Sequence, residues 1–260
     1  MDRRIKLLLG GLILVCLVLT IVLCAHFIRP PTLTLSFQPT PSKGAFIQYN
    51  PNNPDDTKGW INQLRHFLNP YDFTEGQKAA YKNCQQGIPP EQNSNEVCFV
   101  DVTGWAPCVP ELGYHFNSPG GPCIFLTLNQ NPEWLPEYYN SSAVLPDSMP
   151  KYLKEHIKYT EHDVKMNSKQ LNVVWVSCEG ETPADLEFIG PLQFFPSFGF
   201  GGQYFPVVNE QSYLKPLVAV YFERPRHAVV INIVCKAWAK NINHEKEQGI
   251  VHLELLIQDH

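Results

Sequence analysis

Residues Leu7 to Ile28 run without a single Asp, Glu, Lys or Arg, and His26 near the end is their one basic side chain. As an α-helix at 1.5 Å per residue the stretch would extend about 33 Å, enough to cross the hydrocarbon core of a bilayer. A cleavable secretory signal has a shorter apolar region followed by a small-x-small site. Here Leu23-Cys24-Ala25 puts a large residue where a small one is required, so the run is read as a signal-anchor. Arg3, Arg4 and Lys6 precede it while only Arg29 follows closely, which keeps the N-terminus cytoplasmic. The expected layout is type II: a short tail (1–6), a transmembrane helix (7–28) in contact with lipid, and the remainder outside the cell. Gly10 and Gly11 would let a partner helix approach closely. One helix with no ionisable group in mid-span offers no ion path of its own.

Beyond the anchor the chain has a globular composition, not a disordered one. The 260-residue chain is 44% hydrophobic, 12% aromatic and 17% charged. A net charge of −5 argues against a nucleic-acid binder, which would show a basic patch or stripe. Twenty-three prolines favour turns and short strands over long helices. Pro30 to Pro54 reads as an extended stalk (29–56), leaving 57–260 as the folded domain.

Period-two patterning dominates the C-terminal half. In Ala228–Ala239 the alternate positions Val229, Ile231, Ile233, Cys235, Ala237 and Ala239 are all apolar. In Gly249–Ile257, Val251, Leu253, Leu255 and Ile257 face one way, with His252 and Glu254 opposite. Both patterns mark half-buried antiparallel strands. Val173–Cys178 and Leu217–Phe222 are further strands. Thr57–Leu68 has helical spacing and stops at Asn69-Pro70, and Met149–Tyr159 forms a second short helix.

Six cysteines lie beyond the anchor: Cys84, Cys98, Cys108, Cys123, Cys178 and Cys235. An even number outside the cell implies disulfides, of many pairings in principle, with sequential pairing the simplest. Zinc is disfavoured, because there is no Cys-x-x-Cys and no tight His pair. Cys178 and Cys235 fall at or within strands, so a bridge between them would join two sheets, as in an immunoglobulin-like sandwich. The expected fold is therefore mainly β, a sandwich with short helices and three disulfides behind a transmembrane helix.

No complete motif for chemistry is present. Gly199-Phe200-Gly201-Gly202 lacks the third glycine of a dinucleotide loop and is read as a turn. His244-Glu245-Lys246-Glu247-Gln248 has Gln where a zinc protease needs its second His. The acidic run Glu179, Glu181, Asp185 and Glu187 is read as a solvated turn. Neither a serine-hydrolase elbow nor a phosphate loop occurs. Catalytic residues, metal, cofactor and a small-molecule substrate are therefore not expected. Asn140-Ser141-Ser142 is an N-glycosylation sequon.

Cys178-Glu179-Gly180-Glu181-Thr182-Pro183-Ala184-Asp185, followed by Ile189-Gly190-Pro191, resembles the signature of sodium/potassium-transporting ATPase β subunits. So do Tyr213–Val220, Cys235-Lys236-Ala237-Trp238-Ala239-Lys240-Asn241-Ile242, Trp105–Cys108 and Pro122–Asn129. The resemblance covers most of Trp60 to Ile257, is to invertebrate members in particular, and leaves room for a divergent paralogue. It implies a glycosylated type II plasma-membrane protein with an immunoglobulin-like ectodomain and disulfides Cys84–Cys98, Cys108–Cys123 and Cys178–Cys235. It also implies a non-catalytic role: assembly with the catalytic α subunit, support of its folding and surface delivery, and tuning of potassium transport. Tyr204-Phe205-Pro206 matches an aromatic stretch that faces the α subunit's external loops. The span departs from the family in lacking tyrosine and phenylalanine at the helix–helix contact, and Val207 and Val208 stand where two aromatics are usual. The alternative function is a β-like adhesion or junction protein acting without a pump.

Overall fold

The computed structural model describes residues 16–17, 33–73, 81–91, 96–163, 168–207 and 211–259. The tail and nearly all of the expected span, Gly10 and Gly11 included, lie outside them. Among the described residues no helix is long and apolar enough to cross a membrane.

From Leu33 onward the chain forms one compact unit built on two β-sheets. The first has the order β1 (Thr34–Gln38), β3 (Cys123–Asn129), β7 (Leu217–Phe222), β5 (Leu192–Phe195), antiparallel throughout. The second has the order β2 (Phe46–Tyr49), β9 (Ile250–Ile257), β8 (Ile231–Trp238), β4 (Val173–Gly180), β6 (Gly199–Gly201), with only β2 parallel to its neighbour. Central β3 and β7 are buried almost along their whole length, which is why they read as continuous apolar runs. In β9 the alternation is as expected: Leu253, Leu255 and Ile257 are buried while His252 and Glu254 are exposed. Side chains from both sheets, among them Phe125, Val220, Ile233 and Leu255, meet in one core.

The segment expected as a stalk is a correction. It supplies β1 to the first sheet and β2 to the second, with Leu35, Phe37, Ile47 and Tyr49 buried. Short alternating runs interrupted by Pro39 and Pro41 carry a weak period, and only tertiary pairing makes them strands. The folded unit thus begins at Leu33, not near residue 57.

Helix α1 (Pro54–Leu68) starts three residues before its expected position. Asn53 caps it by accepting the Asp55 N–H, Pro54 opens the first turn, and Asp55 and Asp56 complement the helix dipole. Its buried stripe is Thr57, Ile61, Leu64 and Leu68. Helix α2 (Lys151–Asp163) lies on the outer face of the second sheet, where Leu153 and Ile157 cover the cross-strand pair Trp175 and Trp238. Each indole N–H is satisfied, Trp175 by Tyr139 O at 3.1 Å and Trp238 by Ser177 Oγ at 2.8 Å.

The acidic run after Cys178 is a second correction: it holds helix α3 (Pro183–Phe188). Thr182 and Asp185 form a capping box, and Asp185 is 4% exposed. The helix comes so close to β4 that a Cβ on Gly180 would stand 2.2 Å from the Asp185 carbonyl carbon. Glycine is required there by contact, not by backbone angle.

Disulfides Cys84–Cys98, Cys108–Cys123 and Cys178–Cys235 all form. The third does not join the two sheets. Cys178 and Cys235 are direct partners on neighbouring β4 and β8, with Cα atoms 4.0 Å apart. It staples one sheet internally. Sequence shows that both cysteines sit on strands but not that those strands are adjacent.

Candidate functional site

Tyr204, Phe205 and Pro206 leave the second sheet on one short path. β6 ends at Gly201, and a single 3-10 turn, Gly202–Tyr204, carries the chain outward. The glycine run is therefore an edge strand plus a turn, where a turn alone was expected. A Cβ on Gly199 would lie 2.4 Å from Val174 O, so β6 can pair with β4 only without one. Gly202 N–H donates to Asn172 O at 2.7 Å and fixes the start of the turn.

The turn gives its side chains different fates. Phe205 is 1% exposed and meets Trp134 edge-on with ring centroids 5.7 Å apart. It is a core residue. Tyr204 and Pro206 are half-buried and retain surface. Tyr204 Oη donates to Phe99 O at 3.2 Å. Burial pushes its phenol up, with a hydrogen bond to Gln203 acting the other way.

Beside Tyr204 opens a groove of about 450 Å³, lined by Tyr81, Asn83, Phe99, Asp101, Pro196 and Gln203. The Cys84–Cys98 bridge brings its walls together, and Phe73 packs against both Tyr81 and Phe99 at 4.8 and 5.4 Å. The polar groups are largely committed to the loops that carry them. Gln203 Oε1 accepts the Gly87 N–H at 2.9 Å, and Asp101 Oδ1 accepts from Thr103 N–H at 2.9 Å and its hydroxyl at 2.6 Å. The groove offers shape and aromatic area more than reactive groups. Sequence reasoning missed Tyr81, Phe99 and Asp101, because aperiodic loop residues gain a common face only through a disulfide.

The other sequence features fall elsewhere. Asn140 is exposed, and its sequon is pinned to α2, where Glu161 Oε2 accepts the Ser142 N–H at 2.9 Å. The hydroxyl and amide of Ser142 hold the Glu161 carboxyl below its usual range. His244 lies edge-on to Trp238 at 4.6 Å with Nε2 2.9 Å from Ala237 O, and burial lowers its pKa. Among the described residues no group of three His, Cys, Asp or Glu gathers to hold a metal.

Residues 25–253 match the sequence model of the sodium/potassium ATPase beta chain. The chain belongs to this family. It is 42% identical over 232 residues to the sodium/potassium-transporting ATPase subunit beta-2 of Drosophila melanogaster, covering 86% of this chain and 70% of that one. Identity to subunit beta-1 of the same organism is 33% over 221 residues, covering 83% and 66%. A probable subunit beta-3 of Caenorhabditis briggsae is 28% identical over 243 residues, covering 84% and 69%. The matched region of this β chain takes in the whole first sheet, the second sheet as far as Leu253 in β9, all three disulfides and the groove beside Tyr204.

Proposed function

We propose that the chain is the non-catalytic β subunit of a sodium/potassium-transporting P-type ATPase, assembling with the catalytic α subunit to support its folding, stability, plasma-membrane delivery and potassium transport. The single observation that carries this reading is the 42% identity to subunit beta-2 across 86% of the chain. In this reading residues 1–6 are cytoplasmic and 7–28 span the membrane as a signal-anchor. The unit from Leu33 onward, an immunoglobulin-like ectodomain in the family's terms, lies outside the cell and is glycosylated at Asn140. Three disulfides suit an oxidising exterior.

Two surfaces would hold the α subunit. One is the span, where Gly10 and Gly11 permit close helix approach. The other is the rim formed by Tyr204 and Pro206 with its adjoining groove. Mechanistically, the chain covers membrane and loop surface of the α subunit that would otherwise be exposed, which stabilises the assembled form by mass action. The test is co-expression with an α subunit, immunoprecipitation through the β chain, and assay of ouabain-sensitive ATPase in the precipitate. Co-purification with activity supports the reading. An α subunit that stays behind leaves a β-like surface protein without a pump.

A further inference from the structure

A second cavity, of about 410 Å³, lies away from the Tyr204 groove. Its walls are Tyr152 of α2, Leu186 and Ile189 in and after α3, Leu192 and Phe194 of β5, and Phe198. The volume falls in the range of ordinary small-molecule sites. The walls are firmly set. Tyr152 Oη accepts the Cys178 N–H at 3.0 Å and donates to Cys178 O at 3.1 Å, and Phe194 packs against Phe198 with centroids 4.5 Å apart and the rings tilted by 30°. Ile189 and Phe194 are buried, while Leu186 at the lip is 52% exposed.

Among the described residues that line it, Glu179 of β4 is the one carboxylate. Among the described residues nothing makes a hydrogen bond or ion pair to its carboxylate. Burial pushes the carboxyl up, and the charge of Lys236 pulls it part of the way back. This half-buried carboxylate keeps contact with water at the edge of an aromatic-walled cavity and has no protein donor among the described residues, so a cationic donor can take the place of that water. A neutral polar ligand could donate to the carboxylate but would leave its charge uncompensated, and an acidic one would repel it. A long peptide segment would exceed the volume.

We propose that this cavity binds a small apolar molecule carrying one cationic amine, its ring or alkyl body against Phe194 and Phe198 and its ammonium on Glu179. The ammonium donates to the carboxylate, and the body displaces water from the aromatic walls. The occupant is a ligand and not a substrate, since among the described lining residues no group is arranged to make or break a bond. The site shares no lining residue with the groove beside Tyr204.

The test uses the full chain in detergent, alone and co-purified with the α subunit, with three matched probes followed by ligand-observed NMR titration. These are 2-phenylethylamine, neutral 2-phenylethanol and anionic 3-phenylpropionate. The amine is expected to bind saturably, about tenfold more tightly than the alcohol, because a charge-assisted hydrogen bond is added to the same apolar contact. The anion is expected not to bind. Glu179→Gln should reduce the amine to the level of the alcohol, and Leu192→Trp should fill the cavity and abolish both. Leu186→Trp at the exposed lip serves the same purpose if Leu192→Trp fails to fold. The proposal is overturned if the amine shows no saturable binding, or if Glu179→Gln leaves its affinity unchanged. It is overturned in favour of a protein contact if assembly with the α subunit removes binding altogether.

Discussion

Asp185 Oδ1 accepts the backbone N–H of Asn232 at 3.0 Å, fastening the start of α3 to β8. The other carboxylate oxygen takes the Thr182 hydroxyl at 2.6 Å and its N–H at 3.2 Å. Burial alone would raise this carboxyl, but the Thr182 and Asn232 hydrogen bonds outweigh it and hold the pKa below its ordinary value. Asp185→Ala is expected to cost about 1–3 kcal/mol, from a lost cap and an unsatisfied Asn232 N–H. A carboxyl whose folded pKa is depressed stabilises above its unfolded value of about 3.9 and loses that contribution as pH falls through the folded one. Denaturant titrations of wild type and variant should therefore differ near neutral pH and converge in acid.

Gly180 owes its identity to the same junction. Gly180→Ala would place a Cβ 2.2 Å from backbone, which no side-chain rotation can relieve. A loss of about 1–3 kcal/mol is expected, with α3 displaced from β4. A lowered Tm together with faster hydrogen exchange at residues 183–188 would show it.

Removal of the Cys178–Cys235 bridge by paired alanine substitution should destabilise the unit by about 4 kcal/mol on loop-closure grounds. Because the bridge links adjacent strands of one sheet, the loss of amide protection should concentrate in β4 and β8. An equal loss in the first sheet would contradict this placement.

Phe205 and Tyr204 should separate folding from assembly. Phe205→Ala leaves a void against Trp134 and is expected to cost about 3–5 kcal/mol of stability. Tyr204→Ala should cost much less in the isolated chain but reduce recovery of the α subunit. Thermal melts and co-purification yields, measured on the same two variants, check the split.

How much of the fold was legible in the chain depends on where each signal lives. The alternation in Leu253, Leu255 and Ile257 and the continuous run Leu217–Phe222 announce strands by themselves, because burial of one face or both is written into neighbouring residues. β1, β2 and α3 are not legible in that way. Phe46–Tyr49 is a strand only because β9 lies alongside it, and Pro183–Phe188 is a helix because Thr182, Asp185 and Asn232 close a hydrogen-bond network across 47 residues of sequence. The rim proposed for docking was half legible. Tyr204 and Pro206 keep exposed surface, but Phe205 is core, and the walls at Tyr81 and Phe99 belong to a face that the Cys84–Cys98 bridge assembles.

The most direct test of the account is the amount of α subunit at the cell surface, measured by surface biotinylation with and without co-expression of this chain in cells depleted of other β subunits. The chain is expected to restore surface α and ouabain-sensitive ATPase together, and Tyr204→Ala to weaken both. Surface α that remains at the depleted level, with the chain itself folded and delivered, would contradict it.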